Sequence, residues 1–265
     1  MSVPRIVHAI WLDPLGAGRP AWVDRNLRRL AGLNDGYDVR LHGRLPADLE
    51  AELPEDCHPS TAADLLRLHV LAEQGGWYLD ADIWPLRPLA EAERAWGFDA
   101  LGQRVYCGRQ DHPRDELNNA VLATAPGGAA IRRLLADAIA RCRDTLRRPL
   151  ARTFLGPLLV SEAWRQRPED FLLAGACWWY PIMHHDRAWR YYRRCLAGDD
   201  RPLRIANRWT GGQLPFGLHL WGHSHAERVA EVASAPPPGG AKIASVELAP
   251  NDRHHMSHLA AGLEG

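Results

Sequence analysis

Apolar runs alternate with helical patterns along the first third of the chain. The runs Arg5–Leu12 and Trp77–Ile83 are typical of strands with apolar faces, and Tyr37–His42 is predicted to be another strand. Between them, Ala21–Leu30 and Ser60–Gln74 have the spacing of amphipathic helices. Strands that alternate with helices bury their apolar faces in a parallel or mixed sheet that helices cover. The pattern therefore predicts an α/β fold.

The ends of the second helix have sequence signals of their own. Ser60 or Thr61 is predicted to cap its first turn, and Gly75-Gly76 is predicted to stop it. Beyond Pro88 the pattern is weaker. It still predicts four elements: a strand at Asn119–Thr124, a helix at Ala129–Leu146, a helix over 150–163 that Gly156-Pro157 interrupts, and a short strand at Phe216–Trp221.

Length and composition narrow the class of protein. The 265 residues predict one domain over 1–234, followed by a Pro/Gly-rich linker and tail over 235–265. The 32 Lys and Arg residues balance the 32 Asp and Glu residues, which argues against nucleic acid as a partner. The five cysteines are scattered and form no C-x-x-C pair, which favours a reducing compartment. With no signal peptide or membrane-spanning run in the sequence, we expect a cytoplasmic protein.

Two aspartates follow the strand at Trp77. If the segment stays extended, Asp80 and Asp82 point to the same face, because side chains alternate along a strand. Two carboxylates this close raise each other's pKa unless a cation lies between them. Oxygen ligands suit a hard divalent ion such as Mn²⁺ or Mg²⁺. The alternative is an exposed turn, where aspartate is common.

The surroundings of this pair resemble a known family. Ala62–Arg67 and Gly75–Asp82 are similar to the sugar-binding region of glycosyltransferases with the DXD motif, in glycosyltransferase family 32. This group contains yeast initiating mannosyltransferases and bacterial capsular enzymes, and it is distantly related to clostridial toxin glucosyltransferases. Pro4–Leu12 resembles the opening strand of the family and Phe216–Ser224 its closing segment. The resemblance implies a GT-A fold with a mixed, mostly parallel central sheet flanked by helices.

The resemblance also assigns roles in donor binding. It places Trp11 against the nucleobase, and Asp64 and Arg67 at the donor sugar, with Asp80 beside them. Asp64 is also a candidate catalytic residue. Two structural readings stay open: Thr61 and Asp64 have the spacing of a capping box, and Asp64 and Arg67 that of an i,i+3 ion pair.

Further matching positions come from later in the chain. Asn119 is the better candidate for an asparagine near the reacting centre, and its neighbour Asn118 is expected to bind the donor. In the closing segment Trp221 and Ser224 are expected to contact the donor, and His219 to be the third ligand of a metal held by Asp80 and Asp82. Neutral imidazole suits Mn²⁺ as well as zinc. His8, inside the first strand, is interpreted as a buried core histidine.

Two positions depart from the family pattern. Leu155 replaces a threonine beside Gly156-Pro157, and His225 replaces a tryptophan after the serine. Both departures bring polar contacts at these positions into question.

The activity implied is transfer of a sugar, with retention, from a nucleotide-diphospho-sugar to a hydroxyl. UDP is preferred over GDP, and a glycan, a lipid-linked or a small-molecule acceptor is compatible with the sequence, as is peripheral contact with a membrane. Acceptor contacts are expected from 85–115 and 165–210. They include Trp178, Trp179, His184 and His185, although the paired tryptophans equally fit a buried corner. The alternatives are a phosphatase of the haloacid dehalogenase type and a sugar- or nucleotide-binding protein without turnover.

Overall fold

The computed structural model describes residues 2–13, 18–54, 57–110, 117–145, 154–181, 189–206 and 212–220. The expected tail over 235–265 lies outside these ranges. So do His184, His185, Trp221 and Ser224. Within the described part of the chain, no helix is both long enough and apolar enough to cross a lipid bilayer.

Eight strands and eight α-helices are present in the described ranges. The strands are β1 Ile6–Ile10, β2 Asp38–His42, β3 Gly76–Leu79, β4 Ile83–Pro85, β5 Val105–Arg109, β6 Leu117–Thr124, β7 Phe171–Ala174 and β8 Gly217–His219. The helices are α1 Ala21–Leu33, α2 Ala47–Glu50, α3 Pro59–Gln74, α4 Leu89–Trp96, α5 Ala129–Thr145, α6 Pro157–Gln166, α7 Trp189–Leu196 and α8 Arg201–Ala206.

The main sheet has six strands in the order β2-β1-β3-β6-β5-β7. β1 pairs in parallel with β2 and β3, and β5 pairs in parallel with β7. β6 is antiparallel to both β3 and β5, so it runs against the other strands of this sheet. β4 and β8 form a separate antiparallel pair. The expected mixed, mostly parallel sheet is confirmed.

Helices and aromatic side chains bury both faces of this sheet. On one face, Tyr78 and Cys107 pack in a cluster with apolar residues of α3, α5 and α6. On the other face, Trp77 and Tyr106 pack with residues of α4 and with Trp179. Successive residues of β3 point to opposite faces, as pleating requires, which explains why its sequence is apolar at every position.

The expected single strand Trp77–Ile83 is wrong. β3 ends at Leu79, and the Ile83 N–H donates to the Asp80 carbonyl at 2.9 Å, which closes a tight turn before β4 begins. The two aspartates therefore lie on a turn and not on an extended strand. The alternative prediction of a turn is therefore correct. The prediction that this turn is exposed is wrong, because Asp82 is buried.

The predicted cap of α3 is also wrong. The cap is His58, whose side chain accepts from the Ser60 N–H, and Pro59 occupies the first turn, where proline fits well. Thr61 lies fully buried within the helix, so the capping-box reading of Thr61 and Asp64 fails. The stop at Gly75-Gly76 is confirmed. A Cβ on Gly76 would lie 2.6 Å from the Ile6 carbonyl oxygen, so β1 and β3 require glycine there.

Candidate functional site

The aspartate turn follows the carboxyl end of β3, where open α/β sheets bind ligands. Its backbone is tied to the sheet, because the Asp80 N–H donates to the Ala120 carbonyl of β6 at 2.8 Å. The side chain of Asp80 remains 25% exposed, whereas that of Asp82 is buried. One carboxylate of the turn thus faces solvent while the other lies inside the protein.

His219 of β8 completes a cluster with the two aspartates. One ligand atom from each of Asp80, Asp82 and His219 lies within 4.8 Å of the others. The His219 Nε2 is 3.2 Å from the Asp82 Oδ1. Residue 219 reaches this position because β8 pairs Ile83 with His219, and the Leu220 N–H donates to the Asp82 carbonyl at 2.9 Å. Two carboxylates and an imidazole fit a Mn²⁺ or Mg²⁺ ion.

The charge of His219 is set by this carboxylate neighbour. Burial alone would lower the pKa of the His219 imidazole, but the Asp82 carboxylate, helped by Asp80, raises the pKa above its ordinary value. Histidine binds a metal ion as the neutral imidazole, so a cation would compete with the proton that Asp82 favours on His219.

A buried guanidinium holds the other side of the turn. Arg67 of α3 lies 2.9 Å from the Asp64 carboxylate and 3.1 Å from that of Asp80, and it donates to the Asn119 carbonyl at 2.8 Å. The Arg67 Cζ lies over the Tyr78 ring, 4.5 Å from its centroid. Burial would lower the pKa of Arg67, but Asp80, then Tyr78 and Asp64, raise it above its usual value. The expected i,i+3 pair of Asp64 and Arg67 is present, and it continues into the aspartate turn.

Tyr78 supplies a second contact to Asp80. Its hydroxyl donates to the Asp80 Oδ1 at 2.6 Å. Burial, reinforced by Asp80, raises the pKa of this phenol well above its normal value, so it stays a neutral donor. One oxygen of Asp80 is thus occupied by Tyr78 and Arg67.

A bulge in β6 carries the two asparagines. The register with β5 shifts between Cys107 and Gly108, so that Gly108 faces Asn118. The Asn118 Oδ1 accepts from the Ala120 N–H at 2.8 Å, which stabilises the bulge. The Asn119 Nδ2 donates to the Asp64 Oδ1 at 2.7 Å. Asn119 therefore lies in the carboxylate network, whereas Asn118 contacts the backbone and Gln110.

Gly156 closes this network from the start of α6. A Cβ on Gly156 would lie 2.6 Å from the Asp64 Oδ2 and 3.0 Å from the Asn119 Nδ2. The backbone at 156 can approach the carboxylate only because no side chain intervenes. This close approach explains why residue 156 is glycine. The neighbouring Leu155 is buried in the core and offers no polar contact.

The aromatic candidates separate into two groups. Trp11 is half-buried just beyond β1 and meets Trp22 edge-on at 5.9 Å, so part of its ring stays accessible. Trp179 is 1% exposed and donates to the Tyr106 hydroxyl at 2.8 Å. The expected acceptor contact at Trp179 is therefore wrong, and the buried-corner reading is correct, because the ring packs in the core. Trp178 is half-buried against Trp96.

Three residues near the site were not selected from the sequence. Tyr78 contacts Asp80, and Tyr180 packs edge-on against His219 at 5.7 Å. Asn26 of α1 donates to the turn. Tyr78 lies within Gly75–Asp82, the segment that resembles the family, two residues before Asp80, and this position could have identified it. Asn26 is a polar residue on the apolar face of a helix, and this break in the pattern could have identified it from the sequence. No sequence pattern indicates Tyr180.

His8 is the buried core histidine that the sequence predicts. Its Nδ1 lies 2.9 Å from the His42 Nε2, and its Nε2 lies 3.0 Å from the Gly75 carbonyl oxygen. It thus serves the packing of β1 and the stop of α3, and it stands apart from the aspartate cluster.

Comparison with known proteins agrees with this geometry. A family model, described as glycosyltransferase sugar-binding region containing DXD motif, matches residues 54–103. Over these residues the chain is similar to a glycosyltransferase sugar-binding region with a DXD motif. This region spans α3, the aspartate turn and α4, whereas Trp11, Asn119 and His219 lie outside it. Curated proteins give no match to the sequence.

Several solved glycosyltransferase structures are similar to this chain. A glycosyltransferase involved in the glycosylation of the major capsid of PBCV-1 matches with a TM-score of 0.51 at 8% identity, over 86% of this chain and 98% of that one. The PaToxG glycosyltransferase matches with a TM-score of 0.47 at 14% identity, over 88% and 87%. The glycosyltransferase GlyE of Streptococcus pneumoniae TIGR4 has the same score and identity, over 88% and 61%. The match to the capsid glycosyltransferase supports a fold of the GT-A type, as the resemblance implies.

Proposed function

We propose that this protein is a metal-dependent glycosyltransferase that moves a sugar, with retention, from a nucleotide-diphospho-sugar to a hydroxyl acceptor. One observation carries the proposal: Asp80 and Asp82, from the sugar-binding region, meet His219 from a distant strand within 4.8 Å. One of the three ligand groups, the Asp80 carboxylate, is partly exposed, which leaves the site open to a diphosphate from that side. Breaking a sugar–phosphate bond builds negative charge on the leaving phosphate, and a site of this kind can neutralise it.

The residues around the turn would each contribute a separate function. Asp82 and His219 would hold a Mn²⁺ or Mg²⁺ ion, together with the free side of Asp80. That ion would act as a Lewis acid toward the diphosphate. Arg67 and Tyr78 orient Asp80, because both contact the same carboxylate oxygen. Trp11, half-buried at the end of β1, offers a flat face for a nucleobase, and UDP is the preferred donor base over GDP.

The Asp64 network supports a role in holding the donor sugar. Asp64 is fixed by Arg67 and Asn119, so its carboxylate does not need to reorganise when a sugar hydroxyl arrives. In our proposal Asn119 orients Asp64, and Asn118 holds the bulge that places Asn119. Retention follows from front-face attack, in which the departing phosphate oxygen accepts the acceptor's proton.

The acceptor is proposed only by class: a glycan, a lipid-linked or a small-molecule hydroxyl. The five cysteines all lie in the described ranges and none of them forms a disulfide, which supports the cytoplasm as the compartment. The match of the sugar-binding region favours this activity over a phosphatase of the haloacid dehalogenase type. Turnover separates it from a protein that only binds the donor.

The experiment is thermal unfolding against UDP-, GDP- and TDP-sugars, each with and without Mn²⁺. A ligand that binds the native state alone stabilises it by about 2.7 kcal/mol at a hundredfold excess over Kd. We expect a shift that requires both Mn²⁺ and one nucleotide, and release of that nucleotide from the sugar during incubation. The anomeric configuration of the product, read by NMR, tests retention.

The matched variants are Asp82→Asn and Asp35→Asn. Both remove one carboxylate, but Asp35 is exposed at the end of α1, away from the cluster. The shift should vanish in the first variant and persist in the second. A nucleotide shift that ignores Mn²⁺ and survives Asp82→Asn would contradict the metal-dependent reaction.

A further inference from the structure

A buried asparagine on α1 lies against the aspartate turn. The buried face of α1 consists otherwise of apolar residues, namely Trp22, Val23, Leu27 and Leu30. Asn26 lies on this face and is only 3% exposed. Burying an amide without hydrogen bonds costs free energy, so an asparagine at this position requires a specific partner.

The partners of Asn26 are two carbonyl groups of the turn. The Nδ2 donates to the Ala81 carbonyl at 2.6 Å and to the Ile83 carbonyl at 2.7 Å. These carbonyls belong to the residues on either side of Asp82. Both hydrogens of the amide are therefore used to hold the backbone that carries one carboxylate.

The two aspartates are held by different parts of the protein. Asp80 is fixed by β6 through its N–H, and by Arg67 and Tyr78 through its side chain. None of these three contacts involves the carbonyl groups of Ala81 and Ile83, the neighbours of Asp82. That backbone is held by the N–H of Leu220 on one side and by Asn26 on the other.

We propose that Asn26 is a positioning residue for the metal site, acting through the backbone around Asp82. This inference rests on the proposed function. Without the amide, two buried carbonyls lose their donors, and the turn gains freedom to rotate the Asp82 carboxylate away from His219 and Asp80. Loss of groups that orient metal ligands typically lowers metal affinity by about 10- to 100-fold.

Asn34 provides a matched control on the same helix. It is also 3% exposed, and its Nδ2 likewise donates to a backbone carbonyl, that of Leu30 at 2.8 Å. Its Oδ1 accepts from the Leu89 N–H at 2.7 Å, and neither of these partners belongs to the aspartate turn. The substitutions Asn26→Asp and Asn34→Asp are isosteric, and each places an oxygen where a carbonyl needs a donor. The charge added at residue 26 would itself attract a cation, so charge cannot explain a weaker affinity.

The test is a titration of each protein with Mn²⁺ in the absence of nucleotide, with free Mn²⁺ measured by electron paramagnetic resonance. We expect the Kd to rise about 10- to 100-fold in Asn26→Asp and to stay at the wild-type value in Asn34→Asp. Equal Kd values in all three proteins would overturn the role of Asn26 alone. Absence of Mn²⁺ binding by the wild type would overturn both this role and the metal site of the proposed function.

A metal-free measurement covers the case in which Asn26→Asp does not fold. Hydrogen exchange of the peptide that spans residues 77–85 is compared between Asn26→Ala and Asn34→Ala, which add no charge. Faster exchange in Asn26→Ala than in Asn34→Ala supports the inference, because the amide then holds the turn. The same exchange rate in both variants contradicts it.

Discussion

Replacing Arg67 by methionine tests whether one guanidinium holds the site together. Arg67 and Asp64 are each 6% exposed, and methionine keeps most of the apolar stem while it removes every donor. Asp64 would then be buried without its cation, although Asn119 would still donate to it. Removing one partner of a buried ion pair costs about 3–5 kcal/mol.

The second ion pair adds less to this loss. The Asp80 side chain is 25% exposed, so water screens it and takes over part of the lost interaction. We therefore expect the free energy of unfolding to fall by about 4 kcal/mol in total. Since domains are stable by only about 5–15 kcal/mol, this is a large fraction.

Urea denaturation followed by tryptophan fluorescence measures the effect, because the chain has 11 tryptophans. With a slope of about 2 kcal/mol per molar urea, the midpoint should fall by about 2 M. Arg67→Lys should recover only part of the loss, because an ammonium lacks the fork that reaches two carboxylates and a carbonyl together.

The control is Arg133→Met. Arg133 pairs with Asp170 at the surface with 43% of its side chain exposed, and pairs of this kind contribute about 1 kcal/mol or less. If Arg67→Met loses no more stability than Arg133→Met, the buried network is not what stabilises this region, and the reasoning is refuted.

Two further predictions concern the packing around the site and the response to acid. Gly156→Ala should displace the Asp64 carboxylate, because its Cβ would lie 2.6 Å from the Oδ2; we expect a loss of about 1–3 kcal/mol in urea titrations and a higher KM for the donor, and an unchanged KM would contradict the role of Asp64. Burial, followed by the neighbouring His42, lowers the pKa of His8 to about 4. An unfolded histidine titrates near 6.5, so the unfolded chain binds more protons between these values. Stability should be complete above about pH 6.5 and fall by about 2 kcal/mol between pH 7 and pH 5. Urea titrations at the two pH values should find this loss, largely absent in His8→Asn; an equal loss in that variant would assign it to other groups.

The sequence predicted the sheet where local pattern and packing agree. β1 and β3 are short apolar runs, β2 alternates polar and apolar residues, and α3 is a long helix with a glycine stop; each begins within a few residues of its expected start. β5, β7 and the helices α2, α4, α7 and α8 were not predicted. β7 has four residues and is recognisable as a strand only because β5 pairs with it in parallel.

For the site, the sequence predicted which residues meet but not the backbone conformation that brings them together. Asp80, Asp82 and His219 meet as expected, but the aspartates do so on a turn, since the bond from Ile83 to Asp80 ends the strand. Carboxylates in an i,i+2 relation do not reveal whether the backbone is extended or turned. Asn26 was missed because its two bonds span 55 and 57 residues, and helical periodicity carries no such information.

The antiparallel pairing of β4 with β8 has a consequence for the order of events during synthesis. Asp80 and Asp82 emerge from the ribosome well before His219, and 136 residues separate Asp82 from it. Since the chain is made from its amino end, the strands β1, β2 and β3 are complete while His219 is still unmade. In the proposed metal site, binding of the ion by all three side chains requires β8 to be in place. A fragment that ends before residue 217 would therefore keep residues 54–103 and lack one of the three proposed ligands.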